Sequence, residues 1–518
     1  MVSSIFHCLQ NSVSRHPDKV AIVKDGVATT YGELYKHVNS IAAFLISQGL
    51  QNGDRVSLLI DNSAEYVASY YAVLAANGIV IGLNTASKSR DLSNWIDHSE
   101  STWLIADSSH AELPDIIAVK QSLSYILIGD MNIDADTHEV YRWKDIIQCD
   151  KTIPDLSKLG QNNQLATLIY TSGTTGNPKG VTLSHSNLVN NVKSIVSYLK
   201  LTESDKVMNV LPFYYSYGNS VLHTHIAVGA TVYLENSLMY PHKILQIMQD
   251  EKITGFSGVP STYSLLLSRT EMSEYNLSSL RYMTQAGGAM APSNITRLTD
   301  ALPEIDFFVM YGQTEATARL SYLPPDNLKS KLGSIGIAIP GVSLAVKDDA
   351  GRDVACGEIG QIYAKGPNIM QGYWKDPEAT DRVIVDGWLQ TGDLAKQDKD
   401  GYIYIIGRSS EMIKSGANRI SPKDIEEVIT ELDSVEEVAV VGRQDDILGE
   451  VIEAYIVISP GSFLDSKQVQ AHCRKNLSTY KIPKKINFVN ELPKTASGKV
   501  KRFLLVGDDK ISRHGMFQ

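Results

Sequence analysis

The chain has 518 residues, 43% of them apolar and 20% charged, which is more than one unit of ordinary size needs and excludes both a small binding module and a largely disordered protein. Forty-eight basic residues against 58 acidic ones leave a formal charge of −10, which argues against general binding to nucleic acid or to an anionic membrane. Cys8, Cys149, Cys356 and Cys473 stand far apart without a CxxC pair, so no zinc or disulfide framework is indicated and a reducing, cytoplasmic setting is expected.

Ile5, Phe6, Leu9 and Val13 recur at helical spacing without a basic segment before them, which predicts a first helix rather than a signal peptide. Leu34, Val38, Ile41 and Leu45 predict an amphipathic helix stopped at Gly49, followed by a strand over 55–60. A helix over 64–76 leads through Asn77-Gly78 to an apolar strand over 79–83, and this nearly uncharged stretch is too short and broken to span a bilayer. The alternation continues with a strand at 165–170, a helix at 186–199, a strand at 206–211, a helix at 241–250 and a strand at 255–259. Such alternation implies an α/β fold of layered, largely parallel sheets.

From about Gly333 short strands and glycine turns replace that texture, predicting a small β-rich subdomain over 333–407 at the end of a large N-terminal domain, 1–407. Residues 408–518 are enough for a smaller α+β C-terminal domain. Between Lys467 and Arg513 there are twelve basic residues against three acidic ones, an excess that suits either a solvated face or a patch meeting phosphates.

The segment 171–180, TSGTTGNPKG, follows an apolar strand and packs three glycines, four hydroxyls and a lysine into ten residues. Its backbone N–H groups and hydroxyls suit phosphate oxygens, with Lys179 adding charge. The spacing is neither that of a Walker A loop nor that of a dinucleotide-binding glycine turn. Further on come Tyr311-Gly312-Gln313-Thr314-Glu315, Thr391-Gly392-Asp393, Gly407-Arg408 and a PKTASGK segment at 493–499. Together, and in this order, these motifs resemble those of the adenylate-forming superfamily, which includes acyl-CoA synthetases, standalone adenylation enzymes and firefly luciferase.

The resemblance implies formation of an acyl-AMP from ATP and a carboxylic acid with release of pyrophosphate, then transfer to a phosphopantetheine thiol. Two anions must meet in the first step, so the site has to supply positive charge and fixed placement. By resemblance, Lys499 bridges the substrate carboxylate and the α-phosphate, Glu315 holds Mg²⁺, Thr314 donates to a phosphate oxygen, and Asp393 accepts from the ribose hydroxyls. Thr171, Ser172, Gly173, Thr174, Thr175, Gly176 and Lys179 are implied around the phosphates, with Tyr311, Gly312, Arg408 and the shelf Gly287, Gly288 and Ala289 around the nucleoside. The family's C-terminal domain is mobile, which places a hinge at Ser410, and Lys414 matches a lysine of the second half-reaction. Ser410 stands where Asp or Lys is expected, and Ala417 where glycine is common beside the thiol channel.

The acid's pocket is expected at Tyr215, Ser216, Tyr217, Gly218, Val259 and Gly287. Ser216 occupies the place where amino-acid-activating members carry an Asp, and no acid lies between Lys206 and Gly229. An α-ammonium group would lack its counter-ion there, which favours an uncharged acyl or fatty acid. His223 and His225 have no third ligand at suitable spacing and are expected in the core. The acceptor stays open between coenzyme A, which would make the chain an acyl-CoA synthetase, and an acyl or peptidyl carrier protein. A non-catalytic adenylate-binding sensor is a weaker alternative, opposed by the intact Lys499, Glu315 and Asp393.

Overall fold

A computed structural model describes residues 4–120, 123–129, 139–149, 164–171, 179–408, 411–415, 418–445, 449–494 and 500–506. Two large sheets form the body of the N-terminal domain. One runs, in spatial order, Ile337–Ala338, Ser321–Leu323, Asp306–Tyr311, Tyr282–Gln285, Gly255–Gly258, Lys206–Asn209, Thr231–Leu234, Val20–Lys24 and Val27–Thr30. Its middle strands are parallel and are joined through the helices Ser216–Val228, Pro241–Asp250, Pro260–Arg269 and Pro292–Ala301. Parallel neighbours need such crossovers, and both faces of the sheet are then covered.

The other sheet runs Gly372–Tyr373, Lys179–Ser184, Leu165–Thr171, Ile79–Gly82, Arg55–Leu59, Ser101–Asp107, Ser124–Ile128 and Val140–Arg142. Between the two sheets lies the main core, where Ile22, Val207 and Val232 of one share a cluster with Val56, Leu58 and Val80 of the other. The helix Ala64–Ala75 fills part of that layer and is buried from Tyr66 to Ala75. That explains why no charge follows Glu65 in its first turn, since a helix between two sheets has no wet face. Tyr31–Ser47 starts with a capping box in which Thr30 and Glu33 satisfy each other's backbone N–H groups.

The β-rich unit is an antiparallel sheet of Ser343–Lys347, Ile359–Lys365, Trp388–Gln397, Ile384–Val385 and Ile403–Arg408. Residues 337–338, grouped with it by the sequence texture, pair instead with Ser321–Leu323 of the first large sheet. The strand expected over 206–211 ends at Asn209, because the chain turns at Pro212 to let Gly218 approach. A Cβ at Gly218 would lie 2.2 Å from the carbonyl oxygen of Pro212.

From residue 413 onward a fourth sheet, Asn418–Ile420, Ile413–Ser415, Gly449–Ile458, Val435–Asp445 and Lys485–Phe488, packs with the helices Pro422–Thr430 and Ser466–Asn476. Its apolar clusters contain only residues from 413 onward. A large N-terminal and a smaller C-terminal domain result. Among the described residues, no helix is long and apolar enough to cross a membrane.

Candidate active site

Four adjacent parallel strands of the first sheet end together, and the chain leaving each one carries a residue of interest. Ser216 follows Lys206–Asn209, Val259 follows Gly255–Gly258, Gly287 follows Tyr282–Gln285, and Thr314 follows Asp306–Tyr311. The carboxyl edge of such a sheet is where an α/β fold opens a crevice. Ser216 Oγ lies 3.3 Å from Thr314 Oγ1. Gly287 has φ +89°, and a Cβ there would meet Val259 at 3.1 Å, so these two expected pocket residues are neighbours. Gly288 and Ala289 are exposed in the same turn, pinned where Gln285 Nε2 donates to the Gly288 carbonyl at 2.7 Å.

The other two sheets of the N-terminal domain reach this edge through tyrosines. Tyr311 Oη donates to Asp393 Oδ2 at 2.6 Å, and Arg408 Nε lies 3.0 Å from Asp393 Oδ1. Asp393 and Arg408 are cross-strand partners in the β-rich sheet, so its register sets their pairing. Burial, then the adjoining carboxylate, pushes the Tyr311 phenol up, while Asp393 holds Arg408 above its usual range. Gly312 lets the chain turn after Tyr311, since a Cβ there would sit 2.0 Å from the Ala318 carbonyl oxygen.

Tyr373, at the edge of the second large sheet, donates from Oη to Glu315 Oε1 at 2.9 Å. The Lys179 ammonium lies over the Tyr373 ring, 5.3 Å from its centre. Burial and Glu315 raise the Tyr373 phenol, so it stays protonated as a donor. The structure thus gathers Thr171, Lys179, Tyr311, Gly312, Thr314, Glu315, Asp393 and Arg408 around the meeting of three sheets. Ser172, Gly173, Thr174, Thr175, Gly176, Ser410, Ala417 and Lys499 lie outside the described residues.

Tyr215 caps the N-terminus of Ser216–Val228, with its ring 4.7 Å from that of Tyr214. Tyr217 is buried and donates to the Thr284 carbonyl at 2.9 Å. Gly218 lies within the close packing against the Pro212 carbonyl described above. His223 and His225 are core residues: burial lowers them to about 3 and about 4, and Tyr71 and Tyr282 meet their rings at 2.9 and 2.7 Å. No group of three or more His, Cys, Asp or Glu side chains able to hold a metal occurs among the described residues.

Lys414 is exposed on the short ribbon Ile413–Ser415, its backbone N–H bonded to Glu450 at 2.6 Å. The basic excess of the final stretch is partly neutralised by acids from outside it. Lys481 meets Asp424, Lys484 meets Asp445, Lys485 meets Glu453, Lys494 meets Glu437 and Arg502 meets Glu426. A count along the sequence cannot see such pairings. Arg474 and Lys475 stay exposed in the last turn of Ser466–Asn476.

Sequence reasoning missed Tyr373 and Arg319. Nothing local marks Tyr373, which matters through a contact with a residue 58 positions away. Arg319 carried a signal, as the only charged residue in the ATARLSYLPP stretch of 316–325. It is 2% exposed, with its guanidinium 4.0 Å above the Tyr217 ring. Dehydrating such an ion costs several kcal/mol, whereas a cation–π contact returns about 2 kcal/mol.

Residues 9–374 match the model of the AMP-binding enzyme family, and residues 424–499 match the AMP-binding enzyme C-terminal domain. A long-chain-fatty-acid–CoA ligase of Bacillus subtilis is 31% identical over 98% of this chain and 94% of its own. The anthranilate CoA ligase AuaEII, solved in complex with anthranoyl-AMP, superposes with a TM-score of 0.89 at 27% identity, covering 97% of this chain and 96% of the other. ATP-bound MatB from Rhodopseudomonas palustris gives 0.87 at 30% identity, with 98% of each chain covered. With the described motif residues gathered at one sheet edge and both family models matched in order, the chain belongs to the AMP-binding enzyme family.

Proposed function

We propose that the chain is an acyl-CoA synthetase. It joins the carboxyl of an acid lacking an α-ammonium group to AMP, releasing pyrophosphate, and then passes the acyl group to the thiol of coenzyme A. The observation that carries this reading is the pair of carboxylates held ready by their neighbours at the sheet edge. With Tyr311 and Arg408 each occupying one oxygen, Asp393 keeps lone pairs for the ribose hydroxyls and cannot swing away. Placement of the sugar orients the α-phosphate towards Thr314, beside which Ser216 borders the acid's pocket.

Glu315 gives one oxygen to Tyr373 and retains the other for a cation. A lone carboxylate fits Mg²⁺, which takes its remaining ligands from phosphate and water. When bound, the ion neutralises charge on the phosphates leaving as pyrophosphate. Lys179 and Lys499 add positive charge where the two anions approach, and exclusion of water strengthens every one of these contacts. The neutral, hydroxyl-lined surround of Ser216 supports an acyl acid over an amino acid, and the coenzyme A ligases among the relatives support coenzyme A over a carrier protein. For the second step we place the domain boundary at residues 407–408, with rotation about Ser410 and Lys414 brought to the site. Free, widely separated cysteines support a cytoplasmic setting.

Pyrophosphate release with a panel of acids, followed by mass spectrometry of products formed with coenzyme A and with phosphopantetheinyl carrier proteins, tests the reading. Release with acyl acids and an acyl-CoA product is expected. Release with none of the acids overturns it, and an acyl-carrier product alone moves the acceptor.

A further inference from the structure

Away from the sheet edge, the helices Ile5–Arg15, His185–Leu199 and Ser216–Val228 border a cavity of about 530 Å³. Its wall is apolar: Val189, Val192, Val196, Ala227, Val228 and the thiol of Cys8. Burial pushes that thiol up to about 12, so it stays neutral and belongs with the valines. Asn11, Arg15 and Lys193 also line the cavity and are exposed, so it opens to solvent on their side. Such a volume, with a mostly apolar wall and a few polar groups, is that of a small-molecule site, typically roughly 300–1,000 Å³. It is distinct from the acid's pocket. Ser216 and Val228 are opposite ends of one helix, roughly 18 Å apart at about 1.5 Å rise per residue.

The charge around the opening has one sign. None of the three helices contains an Asp or a Glu, although the chain has 58 acidic residues and a net charge of −10. Arg15 spends its donors on neutral oxygens, with Nε on the Asn11 carbonyl at 3.1 Å and Nη2 on Ser12 Oγ at 3.5 Å and the Ala227 carbonyl at 3.4 Å. Lys193 Nζ has no hydrogen bond or ion pair among the described residues, and its charge reaches the Cys8 thiol through space. Two cations beside an apolar recess, with no acid lining it to neutralise either, complement a ligand that has an anionic head and a hydrocarbon tail. A cationic head would meet repulsion, and a ligand without a tail would leave the wall wet.

We propose that this cavity binds a fatty carboxylate, an unbranched monocarboxylic acid in its ionised form, with the chain along the valines and the carboxylate beside Lys193 and Arg15. The ligand shares its chemical class with the acid of the ligase reading, yet the site is a second one and does not depend on that reading. Lys193, the freer of the two cations, supplies most of the selectivity for charge.

The probe is dodecanoate below its micelle-forming concentration, titrated by calorimetry into the full chain with and without an acyl-sulfamoyl adenosine to occupy the active site. One equivalent that the adenosine analogue does not displace is expected. Affinity should rise about two- to fourfold per methylene from hexanoate to dodecanoate, and dodecyltrimethylammonium should not compete. Lys193→Glu should weaken binding by on the order of tenfold, because repulsion replaces attraction. Val196→Trp, which fills the cavity from a half-buried position, should abolish it. Both variants should release pyrophosphate as the wild type does. Lys193 lies on the surface, so its variant decides the matter even if Val196→Trp fails to fold. Displacement of all dodecanoate by the analogue, unchanged affinity in Lys193→Glu, or equal binding of dodecyltrimethylammonium overturns the inference. A wild-type dimer in sedimentation that Val196→Trp converts to a monomer also overturns it, since a second copy then covers the cavity. Dodecanoate bound as described, with no acid supporting pyrophosphate release, leaves this site standing and removes the ligase reading.

Discussion

Along the carboxyl edge of the nine-stranded sheet Asp393 and Glu315 are gripped by Tyr311, Arg408 and Tyr373, whereas Lys414, Arg474 and Lys475 in the C-terminal residues are exposed. The first arrangement fixes charges before any ligand arrives, so little reorganisation is left for the reaction itself. In the second, the cations remain hydrated and cost nothing until a phosphate or a moving domain meets them. One region holds its charges fixed, and the other leaves them free to meet a partner.

The sharpest break of that contrast is Lys499→Ala. It should lower acyl-AMP formation by on the order of 100- to 1,000-fold, by removing charge between two anions, while transfer from pre-made acyl-AMP to coenzyme A persists. Single-turnover assays of each half-reaction read this out, and equal losses would end the division of labour. Next, Asp393→Ala should raise the KM for ATP by roughly tenfold to a hundredfold, since it removes charge-assisted acceptors that Tyr311 and Arg408 hold in place. An unchanged KM would move the ribose contact elsewhere.

Glu315→Gln should demand more Mg²⁺ for half-maximal rate, and Tyr373→Phe should give the same trend about tenfold more weakly, because it only frees the carboxylate to turn. A magnesium titration of both variants checks the order. For the proposed rotation about Ser410, Ser410→Pro should spare adenylation and slow thioester formation, because proline fixes φ near −65°. Charge reversal at Arg474 and Lys475 should only raise the KM for coenzyme A, by about two- to fivefold, and flatten its salt dependence. Neutral behaviour of both residues would remove them from the docking surface.

A last prediction concerns the core behind the edge. Burial lowers His223 to about 3 and His225 to about 4, against 6.5 when unfolded, so both are neutral when folded. The unfolded chain takes up these protons first. Their contribution is therefore complete above pH 6.5 and is lost as pH falls from there towards about 3. Thermal unfolding followed against pH should show a fall in Tm below pH 6.5, shallower in His223→Gln.

The motif residues announced the chemistry because each proposed task is one that few side chains can do: a carboxylate for hydroxyls, a carboxylate for a cation, glycine where a Cβ would strike backbone. Gly312 is the plainest case, with no room for a Cβ beside the Ala318 carbonyl. The alternation of apolar periodicities was equally legible, and the helices at 64–75 and 185–199 fall within a residue of expectation. Boundaries were harder where two sheets compete for a strand, as at 337–338, since local glycine texture does not say which edge is open.

The sequence by itself determined the layered α/β fold, the family and the identity of most candidate site residues, because periodicity and motif spacing are local properties of the chain. Tertiary structure alone decided which of them are held and by what. Tyr373 reaches Glu315 across the meeting of two sheets, the basic excess after Lys467 is reduced by acids on other elements, and Arg319 is stacked on the Tyr217 ring. Each depends on distances between residues far apart in the chain, and Coulomb and hydrogen-bond energies act through space, where sequence separation carries no information.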